Sequence, residues 1–160
     1  MSNKMKKFFL ITIVALFAFA CNSTKKVVVA EPEPEPEPTG VQFTDSEQLM
    51  DVLEVAKTSN KLVFVDFYTT WCLPCKLMDE DVFTDEEFAI YMNDNFINFK
   101  VNAEKGNGAN LAMLYQIAAY PTLLFLDQDG NVLVQKIGAA YQTELRQMGD
   151  EAKQLAISSN

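Results

Sequence analysis

The sequence predicts an α/β domain, a central mixed β-sheet flanked by helices, and three observations carry that expectation. Leu62 to Tyr68 is a near-continuous apolar run of strand length, rich in Val and Phe, as in a central strand covered on both faces. Segments of helical period alternate with strand-like runs in the order helix, strand, helices, strand, helix, strand, strand, helix. Asp129-Gly130 then marks a hairpin between the last two strands. Two strands joined by right-handed crossovers, followed by a hairpin, make a mixed sheet.

The elements follow in chain order. Phe43-Thr44-Asp45-Ser46-Glu47 places a Thr three residues before a Glu, a capping box opening a helix to about Ser59, with Leu49, Val52, Leu53 and Ala56 as its buried stripe. Leu62 to Tyr68 is the first strand. Leu77, Met78, Val82 and Phe83 give the next segment a helical apolar face, and Thr84-Asp85-Glu86-Glu87 is a second capping box, starting a helix through about Asn93. Phe96 to Val101 is a strand with Lys100 embedded in it. Gly106 to Gly108 is a turn, and Asn110 to Gln116 is a short helix with Leu111 and Leu114 inward. Leu123 to Leu126 is a strand entered through Ala119-Tyr120-Pro121-Thr122, and Val132 to Ile137 is the return strand. Gly138 breaks the chain, and Thr143 to Ile157 closes it with an amphipathic helix.

Between the first strand and the helix that follows lies Trp71-Cys72-Leu73-Pro74-Cys75-Lys76. Two thiols at this spacing can close a small disulfide if the first sits at a helix start and the second one turn inside it. Free N–H groups at the helix N-terminus then face the first sulfur and favour its thiolate. A low-pKa thiolate beside a resolving thiol is what reversible disulfide exchange requires. The same spacing is half of a zinc knuckle, which needs two more Cys or His ligands. The chain has no His, and its third cysteine, Cys21, falls in the leader, so dithiol redox chemistry is preferred to a metal.

Asp66 interrupts the first strand six residues before Cys72. An aspartate there is either an accident of face alternation or a buried acid with a task. In the second case desolvation raises its pKa and lets it exchange protons with Cys75 near neutral pH.

Residues 1–20 read as a signal peptide: a basic start with Lys4, Lys6 and Lys7, then an apolar run of about 13 residues, too short to span a bilayer comfortably. It ends Ala18-Phe19-Ala20-Cys21, which resembles the lipobox of bacterial lipoproteins, with Cys21 as the lipidated residue. Ala18 stands where that pattern usually has Leu, and ordinary cleavage around Ala18 and Ala20 is the rival reading. Residues 21–40 form the attachment and spacer. Its four Glu-Pro repeats, Glu31 to Pro38, favour extended polyproline II and reach roughly 25 Å at ~3.1 Å per residue. Residues 41–160 are the folded domain. The net charge is −9, and loss of the three leader lysines takes it to −12. An acidic surface without a basic stripe argues against nucleic acid as a partner.

Asp66-Phe67-Tyr68, the Trp71 to Lys76 motif, Lys100-Val101-Asn102, Tyr120-Pro121-Thr122 and Lys136-Ile137-Gly138 stand in the order of the landmarks of the thioredoxin family, which the chain resembles from Val41 to Ser158. The resemblance implies the thioredoxin fold, with Pro121 a cis-proline facing the dithiol. It implies that Cys72 is the exposed nucleophile, Cys75 the resolving thiol, Asp66 the buried acid/base and Lys100 its nearby charge. Tyr120 and Pro121 would offer backbone to an extended substrate by short β-pairing. Trp71 would shield the site, Pro74 belongs to the dithiol motif, and Lys76 either favours the thiolate or is a solvated helix lysine.

Leu73-Pro74 replaces the Gly-Pro of cytosolic thioredoxins. Met78 to Phe83 and the extra capped helix instead look like the exported group that includes the C-terminal domain of the transporter DsbD. That group takes electrons from a membrane partner and reduces other exported proteins. The expectation is therefore an exported, lipid-anchored, monomeric protein disulfide reductase facing the periplasm. Its redox group would be the Cys72–Cys75 pair, with no separate cofactor or metal. Its partners would be disulfide-bearing exported proteins and a membrane thiol donor. A disulfide oxidase or isomerase, and a non-catalytic lipoprotein adaptor, are the alternatives.

Overall fold

The structure is a computed structural model and describes residues 39–158. The expected signal peptide, the lipidation of Cys21 and the Glu-Pro spacer lie outside the described residues. The elements are α1 (Leu49–Ser59), β1 (Leu62–Tyr68), α2 (Leu73–Leu77), a π-helical turn (Met78–Val82), α3 (Glu86–Asn95), β2 (Phe96–Asn102), α4 (Gly108–Leu114), β3 (Thr122–Leu126), β4 (Val132–Ile137) and α5 (Gln142–Ser158). No helix among the described residues is long and apolar enough to cross a membrane.

The four strands form one mixed sheet in the order β2-β1-β3-β4. β1 runs parallel to β2 and antiparallel to β3, and β3 pairs antiparallel with β4, as expected for two crossover strands followed by a hairpin. The hairpin turns on Asp127, whose Oδ1 accepts the N–H groups of Asp129 at 2.9 Å and Asn131 at 2.8 Å, while Gly130 takes φ +86°.

Side-chain alternation along β1 divides the core into two layers. Val63, Val65 and Phe67 face α1 and α4 with Val52, Leu53, Ala56, Leu111 and Leu124. Phe64 faces the other way, toward Met78, Val82, Phe83, Phe88, Leu123, Phe125 and Leu145 from the π turn, α3, β3 and α5. Each of these large side chains contributes about 1.5–3 kcal/mol by leaving water. Phe64 packs 5.1 Å from the ring of Phe125, and its truncation to Ala would cost about 3–5 kcal/mol. Asp66 follows Phe64 on that second face, so a carboxyl stands where the pattern would otherwise put another apolar side chain.

Both expected capping boxes are corrected. α1 starts at Leu49 behind Gln48, with no side-chain cap, because Thr44 is drawn to the sheet instead: its N–H donates to Asn98 O at 2.9 Å beside a Phe43–Asn98 parallel bridge. In front of α3 the cap is Asp85, whose carboxylate accepts Phe88 N–H at 2.7 Å. Thr84 turns its hydroxyl back to Glu80 O at 2.6 Å. The segment Leu77 to Phe83 continues α2 as a π turn rather than a regular helix. Gly108 is required by close approach, since a Cβ there would stand 1.9 Å from the carbonyl oxygen of Asn102.

Candidate active site

β1 delivers the chain to the site, and the turn after it ends at Cys72, the N-cap of α2. Pro74, inside the first turn of α2, suits a position where no amide hydrogen is needed. Cys72 and Cys75 are joined by a disulfide with Cα atoms 5.3 Å apart. The Cys75 amide points at the Cys72 sulfur, with N···Sγ 3.2 Å, a ready donor for negative charge on that atom. In this oxidised form Cys72 is 3 % exposed and Cys75 1 %, so the exposure expected of the first thiol is not seen. The bond holds Cys72 Sγ against the first turn of α2, and solvent meets the neighbours Trp71 (66 % exposed) and Leu73 (65 %) instead.

Asp66 is 1 % exposed, so the carboxyl is buried in the sheet. The parallel β1–β2 ladder pairs Asp66 with Lys100, and this register sets the Lys100 Nζ 3.1 Å from Asp66 Oδ2. The Lys100 ammonium is the donor within reach of the Asp66 carboxylate, and no other donor meets its oxygens among the described residues. Burial therefore wins over the lysine's pull: the Asp66 carboxyl is pushed up from 3.8 to about 6, with Lys100 lowering it and Asp79 adding a smaller upward push. Lys100 is shared. Its ammonium also pairs with Asp79 of the π turn and lies 5.2, 4.9 and 5.1 Å from the ring centroids of Phe43, Tyr68 and Phe83.

Around the dithiol, Trp71 Nε1 donates to Glu104 Oε1 at 2.9 Å, and its ring meets Tyr120 edge-on at 6.1 Å. The Tyr120–Pro121 peptide bond is cis. The Pro121 carbonyl accepts Gly138 N–H at 2.8 Å, whereas the backbone N–H and C=O of Tyr120 have no partner among the described residues. Beside Pro74, an open cleft of about 160 Å³ is walled by Leu77, Met78, Val82, Ala140 and Tyr141. Lys76 is exposed and forms no ion pair among the described residues. No three metal-ligating side chains gather among the described residues, and the two cysteine sulfurs are bonded to each other.

A family model for the thioredoxin-like domain matches residues 49–153. The chain belongs to that thioredoxin-like family. It is 32 % identical over 111 residues to the thioredoxin of Buchnera aphidicola, covering 69 % of this chain and 94 % of that one. It is 26 % identical over 85 residues to the thiol:disulfide interchange protein DsbD of Pseudomonas fluorescens, over 52 % of this chain but only 15 % of DsbD. Among solved structures, a candidate disulphide-isomerase from Bacteroides thetaiotaomicron superposes with TM-score 0.62 at 37 % identity, over 75 % of this chain and 96 % of that one.

In this thioredoxin-like protein the redox group is the Cys72–Cys75 disulfide, part of the chain itself. Three residues at the site were not singled out from the sequence. Asp79 shares Lys100, Phe43 walls it, and Glu104 holds Trp71. An acid one helical turn beyond Cys75 was the readable signal for Asp79. Glu104 is 33 residues from Trp71 and Phe43 is 57 from Lys100, and no local pattern links either pair.

Proposed function

We propose that this chain is an exported, membrane-tethered thiol–disulfide oxidoreductase that works as a protein disulfide reductase. The observation that carries the reading is the pairing of a helix-capping dithiol with a buried carboxyl, ion-paired to Lys100, on the strand that feeds it. In the reduced enzyme the Cys72 thiolate, favoured by the Cys75 amide, attacks a substrate disulfide. A mixed disulfide forms, and the first substrate sulfur leaves and takes up a proton. Cys75 then loses its proton with help from Asp66 and attacks the Cys72 sulfur. The second substrate sulfur leaves, and the enzyme keeps the Cys72–Cys75 disulfide. Two electrons pass from the dithiol to the substrate, whose two sulfurs take up the Cys75 proton, relayed by Asp66, and one proton from water. A membrane-embedded thiol protein returns two electrons to the enzyme.

Tyr120 offers an unpartnered backbone N–H and C=O next to the dithiol's Trp71, as an extended substrate segment would need for β-pairing. The apolar cleft beside Pro74 suits a substrate side chain. Tethering rests on the lipobox-like Cys21 and the Glu-Pro run, and the periplasmic setting on those features and the DsbD likeness.

Insulin reduction with wild type and Cys72→Ser tests the activity, since an adaptor has none to lose. The dithiol potential against glutathione tests direction. A value near −270 mV, the thioredoxin range, supports the reductase, and one well above about −200 mV defeats it. The 37 % identity to a candidate disulphide-isomerase favours isomerase work as the second reading, and recovery of scrambled ribonuclease reads that activity directly.

A further inference from the structure

We propose that Phe43, on the segment through which the chain enters the domain, is a positioning residue of the redox site. Its ring forms part of the wall around Lys100 and keeps water from the Asp66 carboxyl beneath it.

The segment is a strap held at every step. Val41 N–H donates to Phe83 O at 2.7 Å, and Thr44 N–H to Asn98 O at 2.9 Å. Between them Asn93 accepts Gln42 N–H at 2.8 Å and donates to Gly40 O at 3.2 Å, and Asn98 donates to Gln42 O at 3.2 Å. Gly40 lets the strap lie flat: it has φ +99°, and a Cβ there would stand 2.9 Å from Phe83 O. So fixed, the Phe43 ring packs edge-on against Phe83 at 5.2 Å and lies 5.2 Å from the Lys100 ammonium.

Three rings enclosing one ammonium are costly to assemble for a lysine that only needs a partner, because its charge would be better solvated at the surface. They suit a lysine that must stay beside a buried acid. On β1 and β2 the charged or ionisable groups facing the pair are Tyr68 and Lys100 itself, and Asp79 faces it from the π turn. β3 faces Asp66 with Leu123, which is apolar. A cleft of about 260 Å³ is lined by Lys100 and Tyr68 and brings Glu47 and Lys105 to its rim. The Lys100 side chain is 18 % exposed and Asp66 1 %, so water stands beside the lysine and reaches the carboxyl once the wall opens. Burial outranks the lysine's attraction in setting Asp66, and admitted water therefore weakens the larger effect.

The consequence for catalysis rests on the reading of Asp66 as the proton-transfer group, and the test separates the two claims. Carbon-13 NMR of the side-chain carboxyls in the oxidised full chain follows Asp66 whether or not the protein reduces anything. Phe43→Ala is expected to lower the Asp66 titration by about one pH unit, and Phe43→Tyr to hold it within about 0.3 unit. Val52→Ala, in the opposite core layer, is expected to lose stability without moving that titration. An Asp66 titration in Phe43→Ala that is unchanged, raised, or shifted no more than in Val52→Ala overturns the proposal. If Phe43→Ala does not fold, Phe43→Leu and Gly40→Ala, which displaces the strap with its ring intact, are read by the same rule. A downward shift in Phe43→Ala, together with a wild type that does not reduce insulin, would uphold the strap and sink the reductase.

Discussion

Replacing Asp66 by Asn removes a buried ionisation while keeping the shape of the side chain, and its effect on stability follows from the site. The unfolded chain gives up the Asp66 proton near 3.8, whereas the folded chain holds it to about 6. Between those values the unfolded state binds fewer protons than the folded one, so stability falls as pH rises. The fall begins near pH 4 and is complete above about pH 6. About two units at 1.36 kcal/mol each amount to about 3 kcal/mol. Asp66→Asn escapes this loss entirely. The two acids held below their ordinary values, Asp127 and Asp150, are present in both proteins and cancel in the comparison. The assay is equilibrium urea unfolding of the oxidised proteins from pH 3.5 to pH 8. The stability difference in favour of Asp66→Asn is expected to grow by about 3 kcal/mol across that range. A difference that stays constant with pH would refute the argument, since only a displaced titration produces a pH-dependent gap.

Three further outcomes follow from named contacts. Lys100→Met removes the one cation beside Asp66 among the described residues and is expected to raise the Asp66 titration above 6, readable by carboxyl NMR; a fall would mean that the lysine acts mainly by excluding water. Gly108→Ala forces a Cβ to 1.9 Å from the Asn102 carbonyl oxygen and is expected to cost about 2–4 kcal/mol in urea unfolding, while Ala109→Gly on the exposed side of the same helix costs about 1. Cys75→Ser leaves the first thiol to attack but none to resolve, so it should accumulate mixed disulfides with substrate while Cys72→Ser accumulates none, as seen on non-reducing gels.

How far the molecule could be read from its residues depends on how local each signal is. β1, the hairpin and α5 were legible because alternation, Asp-Gly and helical period act within a few residues. The dithiol was legible for the same reason: its two sulfurs are three positions apart. The Thr44 and Thr84 boxes were local signals too, but they lost to partners farther away or stronger. Asn98 recruited Thr44 into the sheet, and Asp85 took the cap with a full charge. Lys100 was visible as an oddity inside a strand, yet its enclosure draws on Phe43, Tyr68, Asp79 and Phe83, which meet only when β1, β2, the π turn and the strap are assembled. The half-buried Tyr120 and its contact with Trp71 likewise belong to the folded site.

The lone pairs of Asp66 have a consequence of their own. A carboxylate wrapped in amide hydrogens must break those bonds before it can take up a proton, and its neighbours must then rearrange. Here the carboxyl's polar partner among the described residues is the Lys100 ammonium, 3.1 Å from Oδ2 and itself shared with Asp79, so a proton can arrive or depart when one lysine side chain readjusts. The fold thus accepts a standing loss of stability and gains a carboxyl whose change of state asks only one lysine to readjust.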